Sequence, residues 1–144
     1  MKNVLIVDDE QGLQSALCDG LSGFAVHFQV LTAGNGRRAL EILTISDVDL
    51  VVTDLKMPVM DGFELLDHLQ GEYPHIPVIV LTAHGSNDVE ERLRSRGVFK
   101  YIEKPFNFDE LTFSILGALA SGKKKPRPAA SKWAPNERQT RGVE

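Results

Sequence analysis

The chain has 144 residues, of which 42% are hydrophobic and 25% charged, and its formal net charge is -4. This length and composition are typical of one globular domain with its own core and exclude two ordinary domains. The one cysteine, Cys18, excludes an intrachain disulfide and a thiolate metal cluster. Because no apolar run approaches the roughly 18 residues of a membrane helix, and no signal peptide precedes the first strand, we expect a cytoplasmic protein.

Charge is divided unevenly along the chain. Residues 123–144 carry seven basic and two acidic side chains, a net charge of +5, which leaves -9 on the remainder. This basic segment is rich in Lys, Pro, Ala and Arg and has too few large apolar residues to bury. We therefore predict a folded domain over residues 1–121 and a basic, disordered tail over 122–144.

Five short apolar runs alternate with five segments of helical periodicity. The predicted strands are Val4–Val7, Val26–Leu31, a run that ends at Asp54, Val78–Leu81 and Val98–Ile102. Helix starts are marked by Asn35, by Asp61 with Glu64 three residues later, by Ser86 or Asn87, and by Asn107 with Glu110. Only Val89 and Leu93 give the fourth helix an apolar face. Alternating strands and helices predict a doubly wound α/β fold, with a five-stranded parallel sheet covered on both faces by five helices.

Polar side chains follow four of these strands at their carboxyl ends. They are Asp8 and Asp9 after the first strand, Asp54 after the third, Thr82 after the fourth and Lys104 after the fifth. Because parallel strands bring their carboxyl ends to one edge of the sheet, we expect these side chains to form one site. Three adjacent carboxylates repel one another unless a cation is bound, and an all-oxygen set favours Mg²⁺ over zinc.

The other two residues of this site suit phosphoryl transfer. Lys104 supplies a positive charge and Thr82 a hydroxyl donor, which together with Mg²⁺ can hold the oxygens of a transferring phosphoryl group. Asp54 is then the nucleophile that forms an aspartyl phosphate. A cis Lys104-Pro105 bond would turn the lysine back into the pocket.

The pattern resembles the receiver domain of two-component response regulators over residues 2 to about 120. The matching motifs are Asp8-Asp9, Asp54 followed by Leu55-Lys56-Met57-Pro58, Asp61-Gly62, Thr82-Ala83, Tyr101 and Lys104-Pro105-Phe106. The resemblance implies a flavodoxin-like strand order of 2-1-3-4-5, with Asp54 as the phosphoacceptor. It also implies that Asp9, Asp54 and the Lys56 backbone carbonyl bind Mg²⁺ directly, while Asp8 acts through a metal-bound water.

The resemblance further implies a switch. Thr82 moves toward the phosphoryl group, Tyr101 turns inward, and the face formed by helix 4, strand 5 and helix 5 signals to a partner. A weakly anchored fourth helix supports this interpretation, because it can shift at low cost. We also hypothesise that Lys56 and His84, two residues beyond Asp54 and Thr82, tune the lifetime of the phosphate.

Several alternatives concern function and partners. A nucleotide-binding domain needs a glycine-rich turn after strand one, where this chain has Asp8-Asp9-Glu10-Gln11-Gly12. We expect no enzymatic activity beyond Mg²⁺-dependent self-phosphorylation and self-dephosphorylation. We expect a histidine kinase or a phosphotransfer protein to donate the phosphoryl group. The open alternatives are a stand-alone receiver, a fragment of a longer DNA-binding regulator, and a docking module that is not phosphorylated. We expect this chain to contain no nucleic-acid-binding domain and to act on a downstream protein target that the sequence does not identify. We expect the protein to be a monomer, or a weak phosphorylation-dependent dimer through the face formed by helix 4, strand 5 and helix 5.

Overall fold

A computed structural model describes residues 2–24, 27–57, 59–83 and 85–120. The strands are β1 (Lys2–Val7), β2 (Phe28–Ala33), β3 (Leu50–Asp54), β4 (Val78–Thr82) and β5 (Lys100–Glu103). The helices are α1 (Gln11–Leu21), α2 (Gly36–Ile45), α3 (Gly62–Glu72), α4 (Asn87–Ser95) and α5 (Phe108–Ala120), with a 3-10 turn at Ser22–Phe24. Val26, Pro58, His84 and the tail over 122–144, all subjects of prediction, lie outside the described residues.

The five strands form one parallel sheet in the order β2-β1-β3-β4-β5. This confirms the predicted fold class and the strand order implied by the resemblance. The predicted bounds of several strands are wrong. β1 begins at Lys2 rather than Val4, and β4 ends at Thr82 rather than Leu81. β2 pairs with β1 from Phe28 to Ala33, two residues later than predicted, and β5 pairs with β4 from Lys100 to Glu103.

Two hydrophobic cores lie on opposite faces of the sheet. One contains Leu17 of α1 and Ile115 of α5 and packs on strand residues such as Ile79. The other contains residues of α2, α3 and α4, among them Leu65 and Leu93. Because both faces are covered, the central strands are apolar on both sides, which is why the sequence shows continuous runs rather than alternation.

Side-chain caps begin several helices where the sequence predicts them. The Asn35 side chain accepts a hydrogen bond from the Arg38 backbone N–H at 2.8 Å. Asp61 and Glu64 form a complete capping box at the start of α3. Since the cap fixes where α3 begins, it also fixes the length of the loop that leaves β3.

The fourth helix is held by few apolar contacts. Leu93 is the residue of α4 that is buried, and Val89 is half-buried against the core. Ser86 caps the helix, as predicted, by accepting from the Val89 N–H at 3.2 Å. Within the described ranges, no helix is long and apolar enough to cross a membrane.

Candidate functional site

The carboxyl edge of the sheet gathers the predicted polar residues. Asp8 directly follows β1, Asp54 ends β3 and Thr82 ends β4. Lys104 follows β5, and its backbone N–H donates to the Thr82 carbonyl at 2.8 Å. The Lys104-Pro105 peptide bond is cis.

The centre of the site is an ion pair between Asp54 and Lys104. Lys104 Nζ donates to Asp54 Oδ2 at 2.7 Å, and both side chains are largely buried. The other carboxylate oxygen, Oδ1, accepts from the backbone N–H groups of Leu55 at 2.7 Å and Lys56 at 3.4 Å. Burial lowers the pKa of Lys104, but contact with Asp54 outweighs this effect and leaves the pKa raised. Lys104 is therefore a fixed positive charge.

The carboxylates of Asp8, Asp9 and Asp54 form an acidic cluster. One oxygen of each lies within 4.8 Å of the others. Asp8 is only 2% exposed. Its Oδ1 accepts from the Glu10 N–H at 2.8 Å, whereas its buried Oδ2 has no hydrogen-bond partner among the described residues. Burial raises the pKa of the Asp8 carboxyl, and the neighbouring carboxylates add to this effect.

This donor set fits Mg²⁺. A buried carboxylate oxygen without a partner is costly, and a cation would satisfy it while neutralising the cluster. Hard oxygen donors, with Asp9 exposed to water at one side, match the preference of Mg²⁺ for a few carboxylates and several waters. Asp8, Asp9 and Asp54 could therefore hold the ion.

The loop after β3 is tightly packed against the start of α3. The Gly62 N–H donates to the Leu55 carbonyl at 2.7 Å. A Cβ at Gly62 would lie 2.5 Å from the Asp54 carbonyl oxygen and 2.6 Å from Leu55 Cα. Glycine is therefore required where α3 meets the strand end that carries Asp54.

A cavity of about 800 Å³ opens beside the ion pair and extends between the β3–α3 loop and α4. Its lining includes Asp54, Thr82 and Lys104 at the sheet edge, together with Phe63 of α3 and Val89 and Arg92 of α4. This volume lies within the roughly 300–1,000 Å³ typical of small-molecule sites. The cavity therefore offers more room than a phosphoryl group needs.

The side chains of Lys56 and Tyr101 lie outside the ion-pair centre. Lys56 lines the cavity with its side chain exposed, and His84 is outside the described residues. Tyr101 is half-exposed and donates its hydroxyl to Glu90 Oε1 of α4 at 2.9 Å. This hydrogen bond is the main reason that the pKa of Tyr101 is raised, and desolvation adds to it.

Sequence reasoning missed two contacts of α4. One is the Tyr101–Glu90 hydrogen bond, and the other is the stacking of Arg92 on the Phe63 ring, 3.8 Å from its centroid. Both join residues on different elements, so helical or strand spacing carries no signal for either. The sequence shows a run of charged residues on α4, but it does not indicate which residues of other elements they contact.

Comparison with known proteins gives the family. The family model of the response regulator receiver domain matches residues 4–116. The chain therefore belongs to the response regulator receiver domains, the signalling modules of two-component systems. Receiver domains typically bind Mg²⁺ and interact with histidine kinases or phosphotransfer proteins.

Two curated relatives illustrate different settings of this domain. Transcriptional regulatory protein GlrR of Escherichia coli (strain K12) is 40% identical over 117 residues, which are 81% of this chain and 26% of that protein. Sporulation initiation phosphotransferase F of Bacillus subtilis (strain 168) is 36% identical over 114 residues, 79% of this chain and 90% of that protein. The chain spans about a quarter of the length of the transcriptional regulators it matches.

Solved structures of receiver domains share the fold. A receiver domain protein of Clostridium thermocellum superimposes with a TM-score of 0.75 at 31% identity, over 83% of this chain and 95% of that one. Response regulator TrrA of Thermotoga maritima, in complex with Mg²⁺ and BeF, gives a TM-score of 0.71 at 31% identity, over 82% of this chain and 99% of that one.

Proposed function

We propose that this receiver accepts a phosphoryl group on Asp54 from a histidine kinase or phosphotransfer protein, in the presence of Mg²⁺. The observation that carries the proposal is the position of Asp54, which contacts the Lys104 ammonium at 2.7 Å and belongs to the carboxylate cluster with Asp8 and Asp9. Asp9, Asp54 and the Lys56 carbonyl would hold Mg²⁺ directly, and Asp8 through a water. The Lys104 ammonium, and Mg²⁺ when it is bound, would both stabilise negative charge at the phosphoacceptor.

The transfer needs only groups at this edge of the sheet. An Asp54 carboxylate oxygen attacks phosphorus while the P–N bond of a phosphohistidine breaks and its electron pair stays on the imidazole. Lys104 and the Thr82 hydroxyl then bind phosphoryl oxygens. Asp9 and Asp54 would hold Mg²⁺, which would supply further positive charge to the same oxygens. The chain changes only itself in this reaction, so it accepts and loses one phosphoryl group without turning over another substrate.

The polar contacts of α4 support a switch on the face formed by α4, β5 and α5. Because α4 has little apolar anchoring, the Tyr101–Glu90 hydrogen bond is a substantial part of what joins it to β5. When Thr82 moves toward the phosphoryl group, Tyr101 turns inward and releases Glu90. Phosphorylation thereby biases an equilibrium that the free protein already samples. Lys56, which lines the cavity, and His84, which lies outside the described residues, tune the lifetime of the phosphate.

A second candidate concerns output rather than chemistry. Several relatives that are about three times as long are described as transcriptional regulators, among them DNA-binding transcriptional regulator NtrC of Klebsiella pneumoniae, at 32% identity. This observation favours a receiver that controls a DNA-binding output in a longer protein. The match to sporulation initiation phosphotransferase F, over 90% of its length, favours a stand-alone relay.

Acetyl phosphate tests the phosphorylation proposal. The protein is incubated with the donor, with and without Mg²⁺, and its intact mass is measured beside that of Asp54→Asn. We expect one added phosphoryl group that requires Mg²⁺ and is lost in the variant. Beryllofluoride binding is measured in parallel, because rapid hydrolysis hides the adduct. If folded protein shows neither, the phosphorylation proposal is wrong and a docking module without phosphorylation takes its place.

A further inference from the structure

The guanidinium of Arg92 is held in a defined position on α4. Its Cζ lies 3.8 Å from the centroid of the half-buried Phe63 ring at the start of α3. A cation over an aromatic face is attracted by the electron density of the ring. The stack therefore restricts a long side chain that is otherwise free to move in solvent.

The charge of Arg92 is not neutralised by a carboxylate. Arg94 pairs with Glu90, and Arg96 pairs with Asp67 at 2.9 Å. In the part of the chain that the structure describes, no carboxylate lies within 4.0 Å of the Arg92 nitrogens. Arg92 is therefore available to an anion from outside the chain.

This charge lies on the wall of the cavity that contains Asp54. Asp54 and Lys104 line one part of that cavity, and Phe63 and Arg92 line another. In an in-line displacement the leaving group lies on the side of phosphorus opposite Asp54, and the cavity has room for the leaving group of a small donor there. The side of the cavity that α4 lines adds the positive charge of Arg92.

We propose that Arg92, stacked on Phe63, is a specificity-determining residue that binds the carboxylate leaving group of an acyl phosphate donor. This inference rests on the proposed phosphorylation of Asp54. In the reaction, an Asp54 oxygen forms a bond to phosphorus while the bond from phosphorus to the acyl oxygen breaks. The electron pair leaves on a carboxylate, and no proton is needed. Negative charge thus develops on the leaving group as it departs, where Arg92 stabilises it.

A donor with a neutral leaving group provides the matched comparison. Phosphoramidate transfers the same phosphoryl group, but its P–N bond breaks and the already protonated nitrogen leaves as ammonia. Arg92 offers no comparable stabilisation to an uncharged product. The ratio of the two rates therefore isolates the leaving-group contact from any general effect on Asp54.

The test measures phosphorylation rates with acetyl phosphate and with phosphoramidate, by intact mass in Mg²⁺. Arg92→Met keeps an apolar stem against Phe63 but removes the charge, and Arg92→Lys keeps the charge. Arg94→Met is the control, since Arg94 lies on the same helix but lines a separate cavity with Tyr101. We expect Arg92→Met to slow the acetyl phosphate reaction about fivefold, the size of one solvent-exposed charge contact, with phosphoramidate unchanged. Arg92→Lys and Arg94→Met should keep the wild-type ratio.

Each other outcome is decisive. Equal slowing with both donors means that Arg92 acts only by holding α4, and it overturns the inference while leaving Asp54 as phosphoacceptor. No change in either rate overturns it in the same way. If wild-type protein reacts with neither donor and does not bind beryllofluoride, both the inference and the proposed function are wrong.

Discussion

Replacing Gly62 with alanine should destabilise the domain and impair its phosphorylation. The new Cβ would lie 2.5 Å from the Asp54 carbonyl oxygen and 2.6 Å from Leu55 Cα. Both atoms belong to the backbone, so no side-chain rotation can relieve the clash. The loop must therefore shift, and overpacking of this kind typically costs about 1–3 kcal/mol of the free energy of unfolding. Because the shifted segment carries Asp54, phosphorylation by acetyl phosphate should slow as well.

Gly71→Ala is the matched control on the same helix. A Cβ at Gly71 meets nothing within 4 Å, so alanine gains helix propensity there and should stabilise α3 by up to about 1 kcal/mol. Urea unfolding measures both variants, with the midpoint expected to fall for Gly62→Ala and rise for Gly71→Ala at a similar slope. If Gly62→Ala unfolds at the wild-type midpoint or above it, the close packing of this loop is refuted.

Three further predictions concern the acidic cluster, the switch and the phosphate lifetime. Burial raises the pKa of Asp8 above its ordinary 3.8, so ionisation of this carboxyl opposes folding increasingly above pH 3.8 and in full above the raised pKa. Asp8→Asn should therefore raise the free energy of unfolding at pH 7, measured by urea unfolding without Mg²⁺. The gain should shrink as the pH falls toward 3.8, and a gain that does not depend on pH contradicts this prediction. Tyr101→Ala should leave the phosphorylation rate unchanged but weaken binding of a partner to phosphorylated protein, and unchanged binding in a pull-down rejects the switch. Replacing Lys56 and His84 together with neutral residues should change the half-life of the phosphorylated protein, and an unchanged half-life rejects their tuning role.

Much of the fold follows from local sequence patterns. The runs before Asp8, Asp54 and Thr82 predict buried strands because parallel strands covered on both faces must be apolar on both sides. The capping pair of Asp61 and Glu64 locates the start of α3 because the two side chains satisfy backbone groups within one turn. Once strands and helices alternate, the convergence of the site residues at one edge follows from topology.

The sequence is less informative where structure depends on pairing between distant elements. β2 begins two residues later than predicted because its bounds depend on its register with β1, which β-propensity does not specify. The contacts of Glu90 with Tyr101 and of Arg92 with Phe63 depend on the packing of α4 against β5 and α3. Side-chain patterns on one helix predict which face is buried, but not which polar groups meet across elements.

The most direct test of the account is to locate the phosphoryl group on the chain. Protein treated with acetyl phosphate and Mg²⁺ is reduced with borohydride, which converts an aspartyl phosphate to homoserine, and is then digested for peptide mass analysis. We predict homoserine at residue 54 alone, dependent on Mg²⁺ and absent from Lys104→Ala, which removes the ammonium 2.7 Å from the Asp54 carboxylate. Modification of Asp8 or Asp9 instead, or of residue 54 equally without Mg²⁺, would contradict the proposed chemistry of the site.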